Sequence, residues 1–183
     1  NPACVIPLEK WFSDSVLLKI AQENAVSETA FFKQEGNFFH IRWFTPKSEV
    51  ELCGHATLAS AFVIFKIFKI NSDIIRFQSL SGILKVKIID DLITLDFPSK
   101  KLFRKNKIPN LLIEGLGIKS ELCFYNEDFL MVFNNEDQIL NIVPDFDKLK
   151  KLPLRGIIVT AQGNDYDFIS RSFFPKLGVL EDP

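Results

Sequence analysis

Histidine and cysteine are scarce in this chain, at 2 and 3 of 183 residues, and tryptophan, tyrosine and methionine number 2, 2 and 1. Cys4, Cys53 and Cys123 are widely scattered, as are His40 and His55, with no C-x-x-C pair and no H-E-x-x-H. That spacing favours neither a zinc site nor a disulfide framework, so no metal or cofactor is expected and the thiols are expected reduced in a cytoplasmic protein. Neither sign of charge dominates: 22 Lys and Arg against 23 Asp and Glu leave a net charge of −1. Nothing in that balance draws the chain to a polyanion, and no nucleic-acid partner is expected. Long apolar runs are missing too. The longest, Leu58 to Phe65, stops at Lys66, far short of the roughly 20 residues of a membrane span, so no membrane partner is expected. No basic and apolar leader opens the sequence, which begins Asn1-Pro2-Ala3 without an initiator Met, and both ends are expected to be incomplete.

Phenylalanine is plentiful, at 19 positions, and hydrophobic residues make up 47% of the chain. That supplies a core for one large domain or two small ones. Asp14 stands at a helix start, ahead of Val16, Leu17, Ile20 and Ala21 at helical spacing, which predicts a helix over 14 to 24. Ala30 to Phe32, the turn residues 34 to 37 and Phe38 to Phe44 read as a hairpin stopped by Pro46. Residues 55 to 69 are apolar nearly all round and predict a central helix. Ile74 to Ser79, Ile83 to Ile89 and Leu92 to Phe97 follow as a meander. The basic stretch 99 to 107 reads as a solvated linker between an N-terminal lobe, 1 to 98, and a C-terminal lobe, 108 to 183. In the second lobe helices are expected at 109 to 116 and around 145 to 152. Strands are expected near 121 to 126, 129 to 134, 156 to 161 and 167 to 174, making the class α+β throughout.

The two halves carry an internal repeat. Residues 42 to 50, RWFTPKSEV, align with 171 to 179, RSFFPKLGV, as R-x-F-x-P-K-x-x-V, 129 positions apart. The match predicts two related lobes in which Val50 corresponds to Val179 and Cys53 to Asp182. It also predicts a second central helix beginning after Pro183.

Two helices starting at matching places would aim unpaired N–H groups at one cleft, an arrangement that favours a small carboxylate. Gly54 would let a ligand approach the backbone, although glycine is common at helix starts without any ligand. A helix N-terminus favours a Cys53 thiolate, whereas a buried Cys53 would be inert. A two-thiol racemase needs a second thiol, and the repeat offers Asp182 in that place. His55 is polar at the head of an apolar helix, suited either to acid–base chemistry or to a structural hydrogen bond. Glu28, in Ser27-Glu28-Thr29, has a turn or capping role as its ordinary explanation.

Four segments together carry a resemblance: NPACV, AQENAVSETAFF, FHIRWFTPKSEVELCGHATLASA and GIIVTAQGNDYDFISRSFFPKLGVLEDP. They resemble the phenazine biosynthesis PhzF-like family from end to end. The resemblance implies a diaminopimelate epimerase-like fold of two pseudo-repeated lobes, each a β-barrel-like sheet around a central helix, the second lobe here lacking that helix. It implies a cofactor-independent isomerase or epimerase that moves a proton on a small carboxylate substrate. Glu28 would be the acid–base group, His55 and Asp182 would complete the polar site, and Gly54 and Cys53 would contact substrate. A homodimer is the assembly to be expected. Family members usually continue after EDP into V-T-G-S-A and begin with a strand before NPA, so 1 to 183 alone is expected to be inactive and poorly stable. The alternative is a non-catalytic or regulatory binding protein, for a small molecule or a protein, on the same fold.

Overall fold

Between Pro2 and Pro7, where short length and flanking prolines hide it, the chain already forms a strand, β1 (Ala3–Pro7). The computed structural model describes residues 2–182, which divide between Pro98 and Ser99 into two units. In the first, β1 runs parallel to β2 (Glu28–Glu35), and α1 (Asp14–Asn24) makes the crossover that a parallel pair requires. A tight turn at Gly36-Asn37 leads into β3 (Phe38–Phe44), antiparallel to β2, and β4 (Glu49–Val50) folds back on β3. After α2 (Gly54–Phe62) come β5 (Ile74–Ser79), parallel to β3, and the antiparallel β6 (Gly82–Ile89) and β7 (Leu92–Asp96). The sheet order is β1-β2-β3-β5-β6-β7, with β4 on β3.

Around β2 and β3 this sheet is covered on both faces, which is why those strands read as nearly continuous apolar runs, whereas β5 and β6 alternate buried and exposed residues. Leu17 and Ala21 of α1 pack on Phe31 and Phe44. On the other face Ala30, Phe32, Ile41 and Trp43 pack with Ala56, Ala61, Ile64 and Phe65 from the α2 segment. The helix expected over 55 to 69 is α-helical only to Phe62; Val63–Ile67 continues as a π-helical turn. A change of winding leaves no trace in composition. Its other side leaves Leu58, Phe62, Ile67 and Phe68 exposed within this unit.

The second unit contains β8 (Phe103–Arg104), α3 (Asn110–Leu116), β9 (Leu122–Tyr125), β10 (Phe129–Val132), α4 (Glu136–Leu140) and α5 (Phe146–Leu149). It ends with β11 (Ile157–Ala161), β12 (Ile169–Phe174) and β13 (Val179–Asp182). Its strands lie in the order β13-β12-β11-β10-β9-β8, over a core that includes Leu112, Leu116, Met131, Ile139, Val159 and Phe173. Residues 99 to 107, read from composition as a linker, contribute β8 to this sheet through Phe103 and Arg104 opposite Tyr125 and Phe124. Lys101 and Lys105 lie over the rings of Phe103 and Tyr125 at 5.6 and 5.2 Å, so the basic segment is laid along the sheet.

Each unit contains the same succession. β10 and β11 are parallel, separated in the chain by the helices α4 and α5; β11 and β12 are antiparallel, and β13 returns on β12. β1, α1, β2, β3 and β4 follow that course in the first unit. The repeated arginine and phenylalanine also stack alike, Arg42 on Phe44 and Arg171 on Phe173, both at 5.1 Å. Each guanidinium is gripped by a glutamate of the returning strand. Arg42 Nε and Nη2 donate to Glu49 at 2.7 Å each, and Arg171 Nε and Nη2 donate to Glu181 at 2.7 and 2.9 Å. Hydrogen bonding to Glu49 is the main reason Arg42 is held more firmly charged than usual, with Asp14 adding to it against the cost of burial. The returning strands differ in register: Val50 lies opposite Trp43, whereas Val179 lies opposite Phe174 rather than Ser172. A one-turn helix at Pro175–Leu177, closed by Gly178 at φ 81°, and an irregularity between Ser172 and Phe174 displace the second return by two residues.

Candidate active site

Glu28 is the first residue of β2, opposite Ala3 in the parallel register. Just before it α1 ends at Ala25, which adopts the left-handed region at φ 50°, a conformation costly for a residue with a Cβ. The next residue after Glu28, Thr29, is fully buried and accepts a hydrogen bond from Asn24 Nδ2 at 3.1 Å. That bond ties the end of α1 to the start of β2 and so sets where Glu28 emerges. Sequence reading missed Asn24 and Thr29, although Thr29 stands inside the same three-residue motif as Glu28.

His55 is brought to Glu28 by the start of α2. Cys53 precedes the helix in extended conformation (φ −144°, ψ 115°), and its carbonyl accepts from the Thr57 N–H at 3.2 Å. The N–H groups of Gly54, His55 and Ala56 have no carbonyl one turn back, as at any helix start. His55 Nε2 lies 3.1 Å from Glu28 Oε2, a close polar contact without the alignment of a hydrogen bond. The two atoms are buried, while their side chains remain 27% and 19% exposed, so the pair is sheltered but within reach of solvent. The other ring nitrogen, Nδ1, is in hydrogen-bonding contact with Cys53 Sγ at 3.6 Å. Cys53 itself is only 7% exposed.

Glu28, Cys53 and His55 therefore form one group, with one polar atom from each lying within 4.8 Å of the others. The glutamate and the cysteine are 25 positions apart, so local spacing, which argued against a metal site, could not reveal this donor set. Gly54 sits beside it. A Cβ there would meet only Phe97, at 3.4 Å, and the backbone angle is ordinary, so neither packing nor conformation demands glycine. Asp182 ends β13 in the second unit, exposed and opposite Ser172. His40 lies elsewhere, on β3, with its ring edge to face against Trp11 at 5.0 Å. Cys123 is buried in the second core, and that burial pushes its thiol pKa up against the opposing charge of Lys105.

Among the described residues no helix is long and apolar enough to cross a membrane. A family described as phenazine biosynthesis-like protein matches residues 1–183. An uncharacterized isomerase of Pseudomonas aeruginosa is 44% identical over 183 residues, spanning 100% of this chain and 70% of its own length. The crystal structure of a PhzF family phenazine biosynthesis protein from Enterococcus faecalis superposes with a TM-score of 0.93 at 44% identity, over 100% of this chain and 70% of that one. A predicted epimerase from Pseudomonas aeruginosa shares the fold, with a TM-score of 0.64 at 14% identity over 98% of this chain and 70% of its own. The α+β architecture of two pseudo-repeated lobes is thus the one seen in PhzF and epimerase proteins. By sequence and by fold together, this chain belongs to the phenazine biosynthesis-like family, an isomerase-type family.

Proposed function

We propose that the protein is a cofactor-independent isomerase or epimerase in which Glu28 moves a proton on a small carboxylate-bearing substrate. The observation that carries this reading is the approach of Glu28 Oε2 to His55 Nε2, 3.1 Å apart at the start of α2. A carboxylate held there has an imidazole nitrogen directly beside one of its oxygens. His55 also belongs to the first turn of α2, where N–H groups have no intrahelical acceptor, a setting suited to a substrate anion. Glu28 takes a proton from a carbon made acidic by adjacent unsaturation and returns it elsewhere on the same face, because one carboxyl serves both steps. His55 orients the substrate and stays close to the carboxyl rather than performing the main transfer. Gly54 leaves room for the substrate to reach the backbone, and Cys53 lines the same place. Asp182 is assigned a polar contact with the substrate from the family resemblance. Cytoplasmic location and a homodimeric assembly belong to the same proposal.

Solvent deuterium incorporation tests it. Full-length protein is incubated in D2O with a panel of small cyclic and amino-acid carboxylates, and each is read by mass spectrometry. Incorporation of a single deuteron into one member, at a rate dependent on enzyme, is the expected result. Tight binding of a carboxylate with no exchange in any member would instead favour a binding protein on this fold.

A further inference from the structure

We infer that Glu28, Cys53 and His55 form a binding site for a thiophilic divalent cation, with Zn2+ as its best occupant. The three side chains offer one carboxylate oxygen, one thiol sulfur and one ring nitrogen, all within 4.8 Å of one another. In a four-coordinate zinc site, with bonds of about 2.0–2.3 Å, ligand atoms stand roughly 3–4 Å apart. The carboxylate lies 3.1 Å from Nε2 and the sulfur 3.6 Å from the other ring nitrogen, Nδ1, so with either nitrogen as ligand one of the two partners already stands at that spacing and the other has to close in from within 4.8 Å. The imidazole contacts the thiol through one nitrogen and the carboxylate through the other, and metal binding requires it to offer one of them to the ion shared with both. Three protein ligands leave a fourth position for water or for a carboxylate ligand.

The donor set decides the cation. A thiolate with an imidazole disfavours Mg2+ and Ca2+, which take oxygen, and suits Zn2+ over the harder first-row ions. Binding replaces the Cys53 S–H bond with an S–metal bond and releases that proton to the buffer, with neutral His55 and ionised Glu28 supplying the other pairs. The backbone supports the geometry from two directions. Thr29 anchors the head of β2 through Asn24, and the start of α2 carries Cys53 and His55 together. An ion held here would occupy Glu28 and stop its proton transfer, a consequence that rests on the assignment of Glu28 above. Cation binding itself does not.

The experiment is a Co2+ titration of the full-length protein without substrate, followed by displacement with Zn2+. One equivalent of Co2+ is expected to bind with a thiolate-to-cobalt charge-transfer band in the near ultraviolet, and Zn2+ is expected to abolish it. Cys53→Ser should remove the band, and Cys53→Ser and His55→Gln should each weaken binding at least about tenfold, the low end of what even an outer-sphere partner costs when lost. Should either variant fold poorly, saturating Zn2+ should protect Cys53 of the unaltered protein from alkylation, read on its peptide by mass spectrometry. Co2+ binding without a thiolate band, undiminished affinity in both folded variants, or alkylation of Cys53 at the same rate with and without Zn2+ would each overturn the assignment. Because every readout is taken without substrate, these outcomes stand apart from a failure to find proton exchange.

Discussion

Glu28→Gln is expected to lower enzyme-dependent proton exchange by roughly 10²–10⁴-fold, the contribution typical of a general acid–base group, while leaving the melting transition in place. The amide is nearly the same size as the carboxyl and can still face His55 Nε2 across the 3.1 Å contact. It cannot accept a proton at any accessible pH. Glu28 also stands at the end of its strand, and the substitution leaves the adjoining Thr29–Asn24 bond and the β2 ladder untouched, so β2 should stay in place. A variant that keeps more than about a tenth of the exchange rate would remove Glu28 from the chemistry.

The second large effect is on stability. Trp43 is only 1% exposed in the middle of the sheet's α2-facing core, beside Ala30, Ile41 and Ala56. Trp43→Ala should cost about 3–5 kcal/mol, a large part of a typical ~5–15 kcal/mol margin. Trp43→Phe should cost much less. The indole Nε1 is buried with no hydrogen-bond partner among the described residues, and an orphan donor of this kind carries a penalty of about 1–3 kcal/mol that phenylalanine lacks. Both tryptophans lie in the first unit, so Trp11 fluorescence in urea reports its unfolding in either variant. Equal losses for the two substitutions would contradict this expectation.

What the sequence made legible follows the strength of local signals. α1 was visible from Asp14 and from the spacing of Leu17 and Ala21, and it spans 14 to 24 as expected. The hairpin of β2 and β3 was visible from aromatic runs around Gly36-Asn37. β1 was not, because its five residues depend on a partner, β2, 25 positions away. α4 was overlooked despite a usable signal: Asn135 Oδ1 accepts from the Gln138 N–H, and Gln138 Oε1 accepts from the Asn134 N–H. That cap is written in the sequence as Asn135 and Gln138, three apart, with Gln138 reaching back to the residue before the cap. The candidate site divides in the same manner. Glu28 and His55 were each suggested by motif and by position, but their meeting is a product of tertiary packing, and so is the contact between Cys53 and His55. The repeat was legible as five shared residues, whereas the two-residue displacement of the returning strand depends on the turn at 175 to 178.

Glu28 and His55 reach each other by chain paths of very different length, and this bears on how the protein folds. β2 and β3 meet through a two-residue turn, a closure that takes microseconds. α2 lies within the connection from β3 to the parallel β5, whose pairing joins Phe39 to Phe77, and such long-range pairings form later because their loop entropy must be overcome first. In pulsed hydrogen exchange during refolding, amides of the hairpin should gain protection before those of β5. Turnover should return with the slower set, and simultaneous protection would show that hairpin and crossover form in one step. A chain interrupted between those events has its carboxylate strand in place while the helix that carries the imidazole is still unattached.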